Sequence, residues 1–97
     1  MTADRYEIVY RAEIADDLAA VDRRLRGRML DAIEHRLRSE PELFGKPLAG
    51  AFHGLRRIRA GDFRIVYRVG GRRVVIWAVL NRKRVYAELA KRLLRLD

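Results

Sequence analysis

Arginine and a single tyrosine carry the chemical potential of this sequence. Arg57 and Arg59 flank Ile58, and alternation along an extended chain sends both guanidinium groups to one face and Ile58 to the other. Arg64 opens the next strand just past a Gly61-Asp62 turn, near enough to join them. A second group, Asn81-Arg82-Lys83-Arg84-Val85-Tyr86, marks the junction between an apolar strand and a helix. Three cations there oppose the helix macrodipole by about 0.3 to 1 kcal/mol each. An anion would compensate: the free N–H groups of a helix start, surrounded by Arg82, Lys83 and Arg84, suit a phosphate, and the planar guanidinium fork meets phosphate oxygens in pairs. Tyr86 brings the only hydroxyl with a titratable proton to this cluster, which makes it the candidate general base or orienter of a nucleophile. The plain alternative is a ring packed at the start of the last helix. Asn81 has a side chain suited to capping that helix.

Other chemistries find little support. There is no cysteine, and His35 and His53 have no second His or Cys at metal-ligand spacing, so no metal site is expected. Gly45-Lys46 is followed by Pro47, where a nucleotide-binding loop needs Ser or Thr. Ser39, the only serine, falls at a predicted helix end, away from any triad geometry. No cofactor is implied. No apolar run is long enough to span a bilayer and the N-terminus lacks a secretory signal, so a cytoplasmic protein with no membrane partner is expected.

The elements that must position these groups follow from periodicity. Arg5 to Tyr10 reads as a short opening strand. From Ala12 to Glu40, Ile14, Leu18, Val21, Leu25, Met29, Ile33 and Leu37 recur at helical spacing, and a break near Arg24 to Gly27 would fold the run into an αα-hairpin that Pro41 ends. Pro41 to Gly54 reads as a loop anchored by Phe44, Leu48 and Phe52. Three strands follow, Leu55 to Ala60, Phe63 to Val69 and Arg73 to Leu80, turning at Gly61-Asp62 and Gly70-Gly71. In the middle strand Phe63, Ile65, Tyr67 and Val69 share one face; Arg64, Val66 and Arg68 share the other, which is expected to be basic. The last strand is apolar on both faces, as a central strand is. Val85, Leu89, Leu93 and Leu96 mark a C-terminal helix. The fold class is α+β: a small antiparallel-rich sheet with an N-terminal αα-hairpin packed on one face and a C-terminal helix, in one domain spanning residues 1–97.

Charge localises the function. The chain carries +9 over 97 residues, which predicts a polyanionic partner. Divided after Glu42, the first part has 8 basic and 10 acidic residues and the second 14 and 3. The first half reads as a solvated scaffold, the second as the working half.

These segments resemble the RelE/ParE superfamily of type II toxins. The resemblance rests on Arg57-Ile-Arg59-Ala-Gly61-Asp-Phe63-Arg64-Ile-Val-Tyr67-Arg68, on Gly45-Lys-Pro-Leu-Ala-Gly50 and on Asn81-Arg-Lys-Arg-Val-Tyr86, and so extends over nearly the whole chain. It implies a small sheet carrying N-terminal helices, and one of two activities. RelE-like members cut mRNA on the ribosome; ParE-like members poison DNA gyrase. The late Arg82 and Tyr86 are similar to the RelE pattern and favour a ribosome-dependent, metal-independent endoribonuclease. By that resemblance Arg57, Arg64, Arg82 and Tyr86 would be catalytic, and Arg59, Lys83, Arg84 and Arg68 would bind RNA phosphates. It also implies a cognate acidic antitoxin as partner, besides ribosome and mRNA or, in the alternative, gyrase. The sequence departs from the RelE pattern at Leu55 and Arg57, where some members have lysine, and at Asn81, where many have histidine. A basic nucleic-acid-binding module without toxicity is the third reading.

Overall fold

The computed structural model describes residues 5–95. In chain order they form β1 (Glu7–Tyr10), α1 (Glu13–Ala19), α2 (Arg23–Ala32), a π-helical turn at Ile33–Leu37, α3 (Pro41–Phe44), β2 (Lys46–Pro47), a 3-10 turn at Gly50–Phe52, β3 (Arg56–Ala60), β4 (Phe63–Gly70), β5 (Arg73–Asn81) and α4 (Val85–Leu94). The strands make one mixed sheet in the order β1-β5-β4-β3-β2. β3, β4 and β5 are the expected antiparallel meander, while β1 returns to lie parallel to β5. β5 lies between β1 and β4, and helices cover both of its faces, which accounts for its apolar character on both.

The two faces of the sheet are covered differently. Ile14, Met29, Ile33 and Leu37 of the helical hairpin pack on Ile65 and Tyr67. On the opposite face Val85 and Leu89 of α4 pack on Val66, Trp77 and Leu80. The face of β4 expected to be basic is therefore apolar at its centre: Val66 is buried, and only Arg64 and Arg68 at its two ends reach solvent. Leu96, assigned to the last helix by periodicity, lies outside the described residues.

The hairpin turns earlier than its glycine suggests. The break falls at Ala20–Asp22, where the Asp22 carboxylate accepts the Arg24 N–H at 2.8 Å and caps α2, so Gly27 sits inside the helix. A side-chain cap satisfies a free N–H group and outweighs the modest helix penalty of one glycine. The segment 41–54, read as loop, contains a helical turn, two residues of strand and a 3-10 turn. Its anchors divide: Phe52 and Leu48 pack on the core, whereas Phe44 is 46% exposed. The opening strand is shorter than expected, and the β4–β5 turn shifts to Gly71-Arg72, with Gly71 at a φ of +60°.

β5 carries a bulge that decides how α4 is held. Tyr67 pairs with Ile76 and Val66 with Ala78, so Trp77 is skipped. β1 stops opposite Ile76, leaving the rest of that edge of β5 without a strand partner. A buried ion pair fills the gap. Arg92 of α4 and Asp17 of α1 meet in a two-pronged contact at 2.7 and 2.8 Å. Arg92 also donates to the Trp77 carbonyl at 2.9 Å, and Asp17 accepts the Val79 N–H at 2.9 Å. Hydrogen bonding to Asp17 holds the Arg92 guanidinium above the ordinary arginine pKa. No helix among the described residues is long and apolar enough to cross a membrane.

Candidate functional site

Strand register assembles the cationic cluster. Arg59 stands directly opposite Arg64 across β3 and β4, and Lys46 of β2 stands opposite Arg57. Phe63 pairs with Asn81, which brings the segment after β5 beside the β3–β4 turn. Asp62 of that turn then fixes it: its carbonyl accepts the Arg82 N–H at 2.7 Å and its carboxylate lies 3.8 Å from Arg82 Nε. Asn81 closes the connection rather than capping α4. Its side chain accepts the Lys83 N–H and its carbonyl the Arg84 N–H, both at 2.9 Å, while Arg84 occupies the cap position without a side-chain cap.

Tyr86, the second residue of α4, is thereby delivered to the cluster. Its ring leans on Phe52 at 5.7 Å between centroids, and it remains 37% exposed. Arg57, Arg59, Arg64, Arg82, Lys83 and Tyr86 line one open depression of about 450 Å³. Arg64 folds back over its own turn, donating to the carbonyls of Gly61 and Phe63 at 3.1 and 2.9 Å. Burial, followed by the like charges of Arg59 and Arg57, holds its pKa below the ordinary arginine value. Tyr86 acts in the opposite sense and Arg82 adds a further like charge. Such mutual repulsion is relieved by an anion. Asp62 is the only described carboxylate in an ion pair with any of these cations. Arg57 Nε is buried without a hydrogen-bond partner, a further donor held without compensation.

Two expected members do not reach the depression. Arg68 is exposed at the far end of β4, opposite Val75, roughly 13 Å along the strand from Arg64. Arg84 is exposed and does not line the depression. Asp62, which sequence reading did not select, fixes Arg82 beside the depression, and Lys46, also not selected, stands opposite Arg57 without lining the depression. The Gly61-Asp62 turn residue was the available signal for the first; the second depends on pairing between β2 and β3, which a two-residue strand does not announce.

The model of the family described as ParE toxin of type II toxin-antitoxin system matches residues 4–86, a span that contains all six lining residues. Toxin RelE of Mycobacterium tuberculosis is 30% identical over 83 residues, 84% of this chain and 86% of that protein. The chain belongs to the RelE/ParE toxin superfamily. Its RelE/ParE fold is similar to two solved toxin-antitoxin complexes. RelBE2 of Mycobacterium tuberculosis has a TM-score of 0.75 and 26% identity, covering 79% of this chain and 91% of that one. The RelB-RelE complex of Methanococcus jannaschii has a TM-score of 0.66 and 27% identity, covering 82% and 96%.

Proposed function

We infer that this type II toxin is a metal-independent mRNA endoribonuclease that works in the cytoplasm on the ribosome and thereby inhibits translation. The observation that carries the reading is the convergence of Arg57, Arg59, Arg64, Arg82, Lys83 and Tyr86 on one depression, with most of their charge unneutralised. The similarity to toxin RelE supports it.

In the proposed reaction the RNA 2′-oxygen attacks the adjacent 3′ phosphorus while the bond from phosphorus to the 5′ oxygen breaks. The products are a 2′,3′-cyclic phosphate and a 5′ hydroxyl. Charge builds on the non-bridging oxygens as this happens, and the clustered guanidinium groups stabilise it most at that moment. Tyr86 stands beside the cluster, where its hydroxyl can orient the 2′-hydroxyl and receive its proton while passing its own to water, which returns one to the departing 5′ oxygen. Arginine itself is not a base, so proton movement falls to Tyr86 or to water. The depression is shallow and open, with few walls to align a flexible substrate. A ribosome that presents mRNA in fixed geometry would supply that alignment. Similarity to toxins solved together with their antitoxins supports an antitoxin as the neutralising partner, and the net charge of +9 suits an acidic one.

Primer extension on mRNA from cells expressing the chain tests the reading. Codon-positioned cuts are expected. Tyr86→Phe keeps the ring against Phe52 and removes only the hydroxyl, and should reduce cutting about 10²- to 10⁴-fold. Arg64→Ala should cost about 10²- to 10³-fold. The ParE description of the matching family model favours a second reading, a toxin that binds DNA gyrase without cutting RNA. Intact mRNA together with DNA damage and stalled replication would establish that reading instead.

A further inference from the structure

The depression does not end at β3. Arg59 also lines a cleft with Arg28, Ala32 and Arg36 on the helical side, and both Arg57 and Arg59 line another with Arg36, Lys46 and Phe44. The two strand arginines thus stand on the divide between the site and a groove reaching α2 and its π turn. Arg28, Arg36 and Lys46 are exposed, and none forms an ion pair with a described carboxylate. Some surface arginines are neutralised, Arg38 by Glu34 and Arg73 by Glu7; what sets Arg28 and Arg36 apart is that they share clefts with the strand arginines.

The π turn aligns this groove. Arg28, Ala32 and Arg36 are four residues apart, and on an α-helix each such step drifts about 40° around the axis. A π turn holds more residues than an α turn, so Ile33–Leu37 rotates the second step back. Arg36 consequently returns to the side of Arg28, facing Arg59, while Met29, Ile33 and Leu37 all stay in the core.

We propose that Arg28, Arg36 and Phe44 continue the phosphate site into a track for single-stranded RNA, with consecutive phosphates on the arginines and a base stacked on the exposed Phe44 ring. This rests on reading the depression as an RNA site. An unpaired basic groove holding one exposed aromatic ring is the combination that grips single strands, backbone by charge and bases by stacking. An acidic peptide would use the charges but would leave Phe44 without a specific partner.

Fluorescence anisotropy with the full chain tests the track, using a labelled twelve-nucleotide oligouridylate and a trinucleotide that fits the depression alone. Tyr86→Phe serves as the common background so that the probe stays intact. Replacing both Arg28 and Arg36 by Ala should weaken the long probe and flatten its log–log salt slope by about 1.4, two contacts at about 0.7 each for single strands. Phe44→Ala should weaken the long probe about tenfold with an unchanged slope. Neither should alter trinucleotide binding or the circular dichroism spectrum. An unchanged slope in the double variant would overturn the proposal. So would a Phe44→Ala variant that binds RNA normally while a polyglutamate competitor displaces the probe from the parent protein but not from the double variant. Since the readout is binding without the ribosome, a chain that binds in the expected manner but leaves cellular mRNA intact retains the track and loses the nuclease.

Discussion

A methyl group on Gly45 would lie 1.7 Å from the Tyr67 hydroxyl oxygen and 2.6 Å from its ring carbon Cζ. Tyr67 is fully buried and donates that hydroxyl to the Pro41 carbonyl, and burial pushes its pKa up, which keeps the donor protonated. Gly45→Ala should therefore lower stability by roughly 1 to 3 kcal/mol in urea denaturation. Tyr67→Phe should not rescue it, because the ring carbons still collide. Gly27→Ala should have the opposite sign: the position is inside α2 with open space around it, and alanine there should add about 0.5 to 1 kcal/mol. At this scale the sequence was legible where side-chain type and alternation suffice. Arg57, Arg59, Arg64, Arg82 and Tyr86 meet as their spacing suggests, whereas Arg68 shares a face with Arg64 yet stands too far along it. Parity selects a face and says nothing about distance.

Between elements, the Asp17–Arg92 pair ties α1 and α4 to the bulged edge of β5. Arg92→Met would strand a buried carboxylate and the Trp77 carbonyl together, with an expected loss of about 3 to 5 kcal/mol. Asp17→Asn keeps an acceptor for the Val79 N–H, so it should cost less than Arg92→Met when both are measured by urea denaturation. The meander could be read from alternation and turn glycines because both are local signals. The parallel partnership of β1 with β5, the bulge and this ion pair are long-range, and no local pattern encodes them. The π turn is equally silent: its apolar repeat of four is compatible with a plain α-helix, and only the burial of Met29, Ile33 and Leu37 together reveals the added width.

For the whole molecule, all six residues lining the depression fall after the charge division at Glu42, whereas the proposed track crosses it. Arg28 and Arg36 belong to the charge-balanced half, yet they face the strand arginines, since their acidic neighbours in sequence point elsewhere: Glu34 toward Arg38, for example. A surface with so many cations left unpaired should be stabilised by a bound anion. At matched ionic strength, inorganic phosphate should raise Tm above its value in chloride. Arg59→Ala combined with Arg64→Ala should erase most of that difference, which separates site binding from the general effect of phosphate on burial.

The clasp between Asp17 and Arg92 joins residues 75 positions apart. During synthesis, therefore, the first helix must wait for α4 to be made before its carboxylate finds this partner. α4 also delivers Tyr86, so the same late event that neutralises Asp17 completes the depression. A nascent chain can form its helical hairpin early, since those contacts are local, but its depression stays incomplete until α4 has emerged. For a protein proposed to attack translation, that delay shields its own ribosome through the synthesis of every residue that precedes α4.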